Sequence, residues 1–161
     1  MILRILLNVP ILSLCALFPA LFLEGCDGGD DMQKPVIEMN GDEYFPQNCV
    51  VLKLGDRFTF RAKFSDNVEL GNYNIEIHNN FDRHSHSTGS EECETDAKKE
   101  PVNAWVFNQD YAIPAGLKEF TANNEIVVPA DVDTGDYHFM VRLTDKSGWQ
   151  QLAAVSVKIS K

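Results

Sequence analysis

Three of the four histidines of the chain, His78, His84 and His86, stand close together in the sequence. In His84-Ser-His86 the two-residue spacing puts both imidazoles on one side of an extended segment, as neighbouring side chains must lie to reach one metal ion. Imidazole nitrogen favours zinc, copper or nickel over calcium or magnesium, so one of those three ions is the expected cofactor. The competing reading is a set of solvated side chains, with His84 and His86 on a loop near acidic groups that raise their proton affinity. The remaining histidine, His138, belongs to the same site only if the fold brings its strand beside the one that ends at His78.

The elements that would position these side chains are strands. Residues 57–64 alternate strictly: Phe58, Phe60, Ala62 and Phe64 face one way, and Arg57, Thr59, Arg61 and Lys63 the other. Residues 73–78 put Tyr73, Ile75 and Ile77 inward; residues 137–143 and 152–159 alternate in the same manner. Weaker extended pieces are expected at 34–40, 49–54, 104–107 and 124–128. Residues 79–103 show no period, and so long a connection is functional or disordered. About seven short strands with no helical period define an all-β chain, an immunoglobulin-like β-sandwich. Asp133-Thr-Gly-Asp-Tyr137 resembles the tyrosine corner of such domains, in which the phenol hydrogen-bonds back across the turn.

In that architecture the third and sixth strands are antiparallel neighbours, so the end of the strand at His78 meets the start of the strand at His138. Inward Tyr137, Phe139 and Val141 turn His138 outward, and Ile75 and Ile77 do the same for His78. All four histidines are therefore expected at one end of one outer face.

Other chemistry finds little support. A calcium loop of the helix-loop-helix kind starting at Asp131 would need Gly at 136 and Glu at 142, where the chain has Asp136 and Arg142. The sequence contains no nucleophile elbow, metalloprotease helix, phosphate loop or dinucleotide fingerprint. The expectation is a binding domain that is not an enzyme. Trp105 and Trp149 read as core or sheet-edge packing, although an exposed tryptophan could stack on a sugar.

The first residues carry a separate message. Arg4 followed by an apolar run to Leu23 has the layout of a secretory signal, with a retained membrane anchor as the alternative. Leu23-Glu-Gly-Cys26 resembles a lipobox, with Glu24 departing from its usual small residue. The expected organisation is a signal peptide at 1–25, a lipidated acidic tether at 26–33 attached through Cys26, and a β-domain at 34–161. Loss of residues 1–25 removes Arg4 and Glu24 together, so the net charge stays at −10, which excludes nucleic acid as a partner. Cys49 and Cys93 then remain as an even pair and read first as a disulfide, with free thiols or Cys93 as a metal ligand left open.

The residues His78-Asn-Asn-Phe-Asp-Arg-His84-Ser-His86, Tyr111-Ala-Ile-Pro114, Gly135-Asp-Tyr-His-Phe-Met140 and Leu143-Thr-Asp-Lys-Ser-Gly-Trp149 together resemble a family of Bacteroidetes lipoproteins, domain of unknown function 4625. The resemblance implies an immunoglobulin-like fold and a place in the cell envelope, and it brings no established activity. Acidic residues straight after a lipidated cysteine, as in Asp27 to Asp31, resemble a signal for display on the outer surface of the outer membrane. Two functions follow as expectations: a lipid-anchored module that binds a transition metal or another extracellular ligand, or a passive adhesion or carbohydrate-associated module in which the histidines are incidental.

Overall fold

In the computed structural model, which describes residues 31–86 and 93–161, eight strands follow one another. They are β1 (Val36–Glu38), β2 (Val50–Lys53), β3 (Arg57–Ser65), β4 (Leu70–Asn79), β5 (Phe107–Ala112), β6 (Glu119–Val127), β7 (Gly135–Asp145) and β8 (Gln150–Ser160). No helix occurs among the described residues. The signal segment, Cys26 and the tether as far as residue 30 lie outside them.

One sheet has the order β1-β3-β6 and the other β2-β8-β7-β4-β5. The result is a β-sandwich with the strand neighbours of an immunoglobulin-like domain: β7 lies between β4 and β8, and β3 between β1 and β6. The eighth strand, beyond the seven of the simplest such sandwich, comes from splitting the first. β1 pairs antiparallel with β3, and β2 crosses to the other sheet and pairs parallel with β8.

Alternation explains the long strands. Phe58, Phe60, Ala62 and Phe64 of β3 meet Tyr73, Ile75 and Ile77 of β4 and Tyr137, Phe139 and Val141 of β7 in one core. Phe60 packs on Phe139 at 5.5 Å between ring centres and Phe64 on Tyr73 at 5.0 Å. Each ring removed from water contributes about 1.5–3 kcal/mol.

Two expected strands need correction. Residues 104–106 are not extended into a sheet; Trp105 is buried in the core, and the strand starts at Phe107 and runs through polar residues to Ala112. As an edge strand, β5 is held by its ladder to β4 and by the Asn74 amide, which donates to Asn108 and Asp110, so it carries no apolar period. Likewise β6 begins five residues before the expected 124, because its nine-residue pairing with β3 extends over residues 119–123, where Phe120 and Ala122 continue the inward face against Phe64 and Ala62. Backbone pairing without an apolar pattern sets the extent of β5, whereas in β6 polar Asn124 interrupts the inward series of Phe120, Ala122 and Ile126.

The connection from β4 to β5 is bound down along its described length. Cys49 and Cys93 form a disulfide. The backbone N–H of Asp96 donates to Asp136 at 2.7 Å, and Lys158 bridges Asp96 at 2.9 Å and Asp136 at 3.4 Å. Farther on, the N–H groups of Val102 and Asn103 both donate to Asp133, each at 2.7 Å. Tyr137 closes the corner: its hydroxyl donates to the Asp133 carbonyl at 2.7 Å and accepts from the Trp105 N–H at 3.2 Å.

Candidate metal centre

β4 and β7 run antiparallel in a register that sets His78 directly opposite His138. Both project from the outer face of the sheet, because their neighbours in each strand fill the core. The chain leaves β4, turns at Asn80 to Arg83 and folds back over this face with His84 and His86. Arg83 takes a left-handed backbone (φ 58°), which is costly for a residue with a Cβ. Its guanidinium donates twice to the Asp96 carbonyl, at 2.6 and 3.1 Å, and so holds the turn to the far part of the connection.

The four imidazole rings form one cluster, every pair between 4.6 and 5.5 Å apart at their centres. Within it, Nε2 of His78 stands 3.2 Å from Nε2 of His84 and 3.2 Å from Nε2 of His86. The ligand nitrogens of these three all lie within 4.8 Å of one another. His138 is placed differently: its Nε2 is 3.2 Å from the His84 carbonyl oxygen, to which only an N–H can bond. That contact ties the folded-back loop to β7.

The opposite ring nitrogens fix the protons. Asp82 Oδ1 lies 2.6 Å from His84 Nδ1 and accepts its hydrogen. Glu76 Oε1 lies 3.1 Å from His78 Nδ1, an ion-pair contact that does not complete a hydrogen bond but favours the proton at that nitrogen. A neutral imidazole with its hydrogen on Nδ1 presents a bare lone pair at Nε2. Two such lone pairs 3.2 Å apart repel each other; a cation between them turns the repulsion into attraction. A carboxylate behind the imidazole is also the usual outer partner of a metal-bound histidine.

Electrostatics disfavour a proton on two of the rings, His78 and His138. Burial is the main cause that lowers the proton affinity of His78, opposed by Glu76 and assisted by the neighbouring rings. Burial likewise pushes the pKa of His138 down to about 4, against its hydrogen bond to the His84 backbone. The hydrogen bond from His84 holds the Asp82 carboxyl below its ordinary value. A cleft of about 360 Å³ opens beside the centre, lined by His78, Phe81, Asp82, His84 and Lys99 among others.

The rings of all four expected histidines thus come together, and three of them converge their nitrogens. Glu76 and Asp82, which stand against His78 and His84, are the residues of the candidate site that sequence reasoning missed. Each stands two residues before a histidine of the cluster, so the spacing that pairs His84 with His86 could have found them. Cys93 is taken by its disulfide and is not a ligand.

No curated protein matches the chain. Among solved structures the chain is similar to the sporulation control protein Spo0M of Bacillus subtilis, with a TM-score of 0.39 and 9% identity, over 80% of this chain and 49% of that one. The chain therefore spans about half the length of that protein. The domain of unknown function DUF4625 matches residues 24–160, nearly everything after the apolar N-terminal run, and the chain belongs to that family.

Proposed function

We propose that this domain is a non-catalytic binding module of the cell envelope whose His78, His84 and His86 hold one transition-metal ion. The observation that carries the reading is the convergence of three Nε2 atoms, two of them backed by carboxylates at Nδ1. A tetrahedral zinc ion with Zn–N of about 2.0–2.1 Å separates its ligand nitrogens by about 3.3 Å, whereas adjacent ligands of a square-planar ion lie only about 2.8–2.9 Å apart. The 3.2 Å spacing from His78 to each of the other two lies near the tetrahedral value, which makes zinc the first ion to test. His138 supports the site by holding the His84 backbone, with its own Nδ1 left as the only nitrogen it could offer to an ion. A fourth position open to the cleft beside His78 and His84 would take water or a group from a ligand.

The adhesion or carbohydrate reading has no comparable support. Trp105 is buried; Trp149 is 38% exposed, but its indole N–H is engaged by the Asp31 carbonyl at 2.7 Å and no second exposed tryptophan stands beside it.

Calorimetric titration of the purified protein with zinc, copper and nickel tests the proposal. One equivalent of zinc should bind, and the His84→Ala/His86→Ala variant should bind none; equal binding by both proteins would refute the site. The envelope location rests on the lipobox-like Leu23 to Cys26 and on the acidic residues after it. Cys26→Ala should leave the protein unprocessed or free of membranes, and a variant still carrying lipid would end that part of the proposal.

A further inference from the structure

A second cluster lies at the other end of the β4–β7 pair. Asp66 is in the turn between β3 and β4, Asp145 is the last residue of β7, and Asp31 precedes β1. Carboxylate oxygens of the three lie within 4.8 Å of one another. In each, one oxygen is occupied by donors of its own surroundings. Oδ1 of Asp66 accepts the N–H groups of Val68 and Glu69, at 2.8 and 2.7 Å. Oδ1 of Asp145 accepts the Trp149 N–H at 2.8 Å. Oδ1 of Asp31 accepts from Gln33 N–H at 3.1 Å and from the Asn67 amide at 3.0 Å, with the Ser147 hydroxyl close by.

The second oxygens are different. Oδ2 of Asp31, of Asp66 and of Asp145 are all buried with no hydrogen-bond partner, and Asp145 as a whole is only 3% exposed. Among the described residues no lysine or arginine forms an ion pair with any of the three; Lys118, nearby, donates instead to the Asn67 carbonyl at 2.7 Å. A buried carboxylate oxygen without a partner is costly, and three held together add mutual repulsion. The backbone is built around this arrangement. A Cβ at Gly71 would come within 2.8 Å of the Asp145 and Thr144 carbonyl oxygens, so only glycine lets the start of β4 approach the end of β7 this closely.

We propose that Asp31, Asp66 and Asp145 form a calcium site, separate from the histidine centre, that closes the segment before β1 onto the β3–β4 and β7–β8 turns. Oxygen-only ligands favour hard cations over zinc and copper. Three protein carboxylates drawn from three segments suit calcium, which takes six to eight oxygens in flexible geometry. Magnesium keeps most of its water and is usually bound through one or two carboxylates. Asp31 supplies one ligand and, through its carbonyl, binds Trp149. Calcium would thereby make the last residue of the acidic segment after Cys26 part of the folded domain and fix where the chain enters it.

The test uses the full chain stripped with chelator, followed by calorimetry and melting temperature during addition of calcium or magnesium chloride. One calcium should bind with half-saturation at about 0.1–1 mM, the range of extracellular modules, and raise the melting temperature. Asp31→Asn should weaken binding at least about tenfold, since charge count sets affinity in such sites. Asp145→Asn should abolish the response while leaving the calcium-free protein as stable as wild type or more so, because a like charge is removed. His84→Ala/His86→Ala should keep the full calcium response. The proposal is overturned by silence up to about 10 mM calcium, by an equal response to magnesium, or by an undiminished response in Asp31→Asn. A loss of stability in Asp145→Asn that is the same with and without calcium would also overturn it.

Discussion

His78 and His138 are cross-strand partners, opposite each other in the β4–β7 ladder with ring centres 5.5 Å apart, on the outer face of a sheet whose inner face is the core. A rigid pair of strands thus supplies two imidazoles at a fixed separation. His84 and His86 arrive from a turn held to that pair by the bond between His138 and the His84 carbonyl. The site is therefore half on strands and half on loop, and its properties should follow both.

The carboxylates behind the imidazoles should tune metal affinity without supporting the fold. Asp82 is largely exposed, so Asp82→Asn should change the stability of the metal-free protein by no more than about 0.5 kcal/mol. It should nevertheless weaken zinc binding about 10–100-fold, because the amide accepts the Nδ1 hydrogen less strongly. Competition against a chromogenic chelator reads the affinity, and unchanged affinity would argue against the outer-partner role.

Acid should weaken the domain in a defined window. The unfolded chain takes up a proton on each histidine near pH 6.5, whereas folded His138 resists protonation down to about 4 and folded His78 is lowered in the same direction. Between those values the unfolded state binds more protons, so stability is full above about pH 6.5 and is lost as pH falls toward 4. Zinc sharpens the loss, since only the neutral ligands bind it. Melting temperatures at several pH values, with and without zinc, should show this slope for wild type and a shallower one for His138→Gln; identical slopes would contradict it.

Tyr137 should be a stability residue. Tyr137→Phe keeps the ring but strands the Asp133 carbonyl and the Trp105 N–H, at a cost of about 1–3 kcal/mol. A lowered urea midpoint at constant slope is the expected reading. No change in midpoint would mean that water replaces the phenol at the corner.

Reduction should act on both stability and site. The Cys49–Cys93 bond closes a separation of 44 residues that includes β3, β4 and the histidine turn, worth about 4 kcal/mol by loop-closure entropy. Cys49→Ser/Cys93→Ser should therefore melt earlier and bind zinc more weakly, by slackening the segment that carries His84 and His86. Equal zinc affinity in the double variant would show that Arg83 and His138 suffice to hold that turn.

Some of this was written in local pattern. The alternation in residues 57–64, 73–78 and 137–143 determined three central strands and the faces of their side chains, because the side-chain period of a strand is two and one face must leave water. With the tyrosine-corner residues, that was enough to bring His138 to His78. Compartment and parity likewise paired Cys49 with Cys93. Tertiary structure alone decided the rest. The extent of β5 depends on its ladder to β4, which its polar sequence does not announce. Which nitrogens converge depends on where the turn at Arg83 aims His84 and His86, a matter of backbone torsion and of an anchor at Asp96. Asp31, Asp66 and Asp145 are far apart in the chain and share no spacing; only the meeting of two turns and the segment before β1 makes neighbours of three charges that the sequence keeps apart.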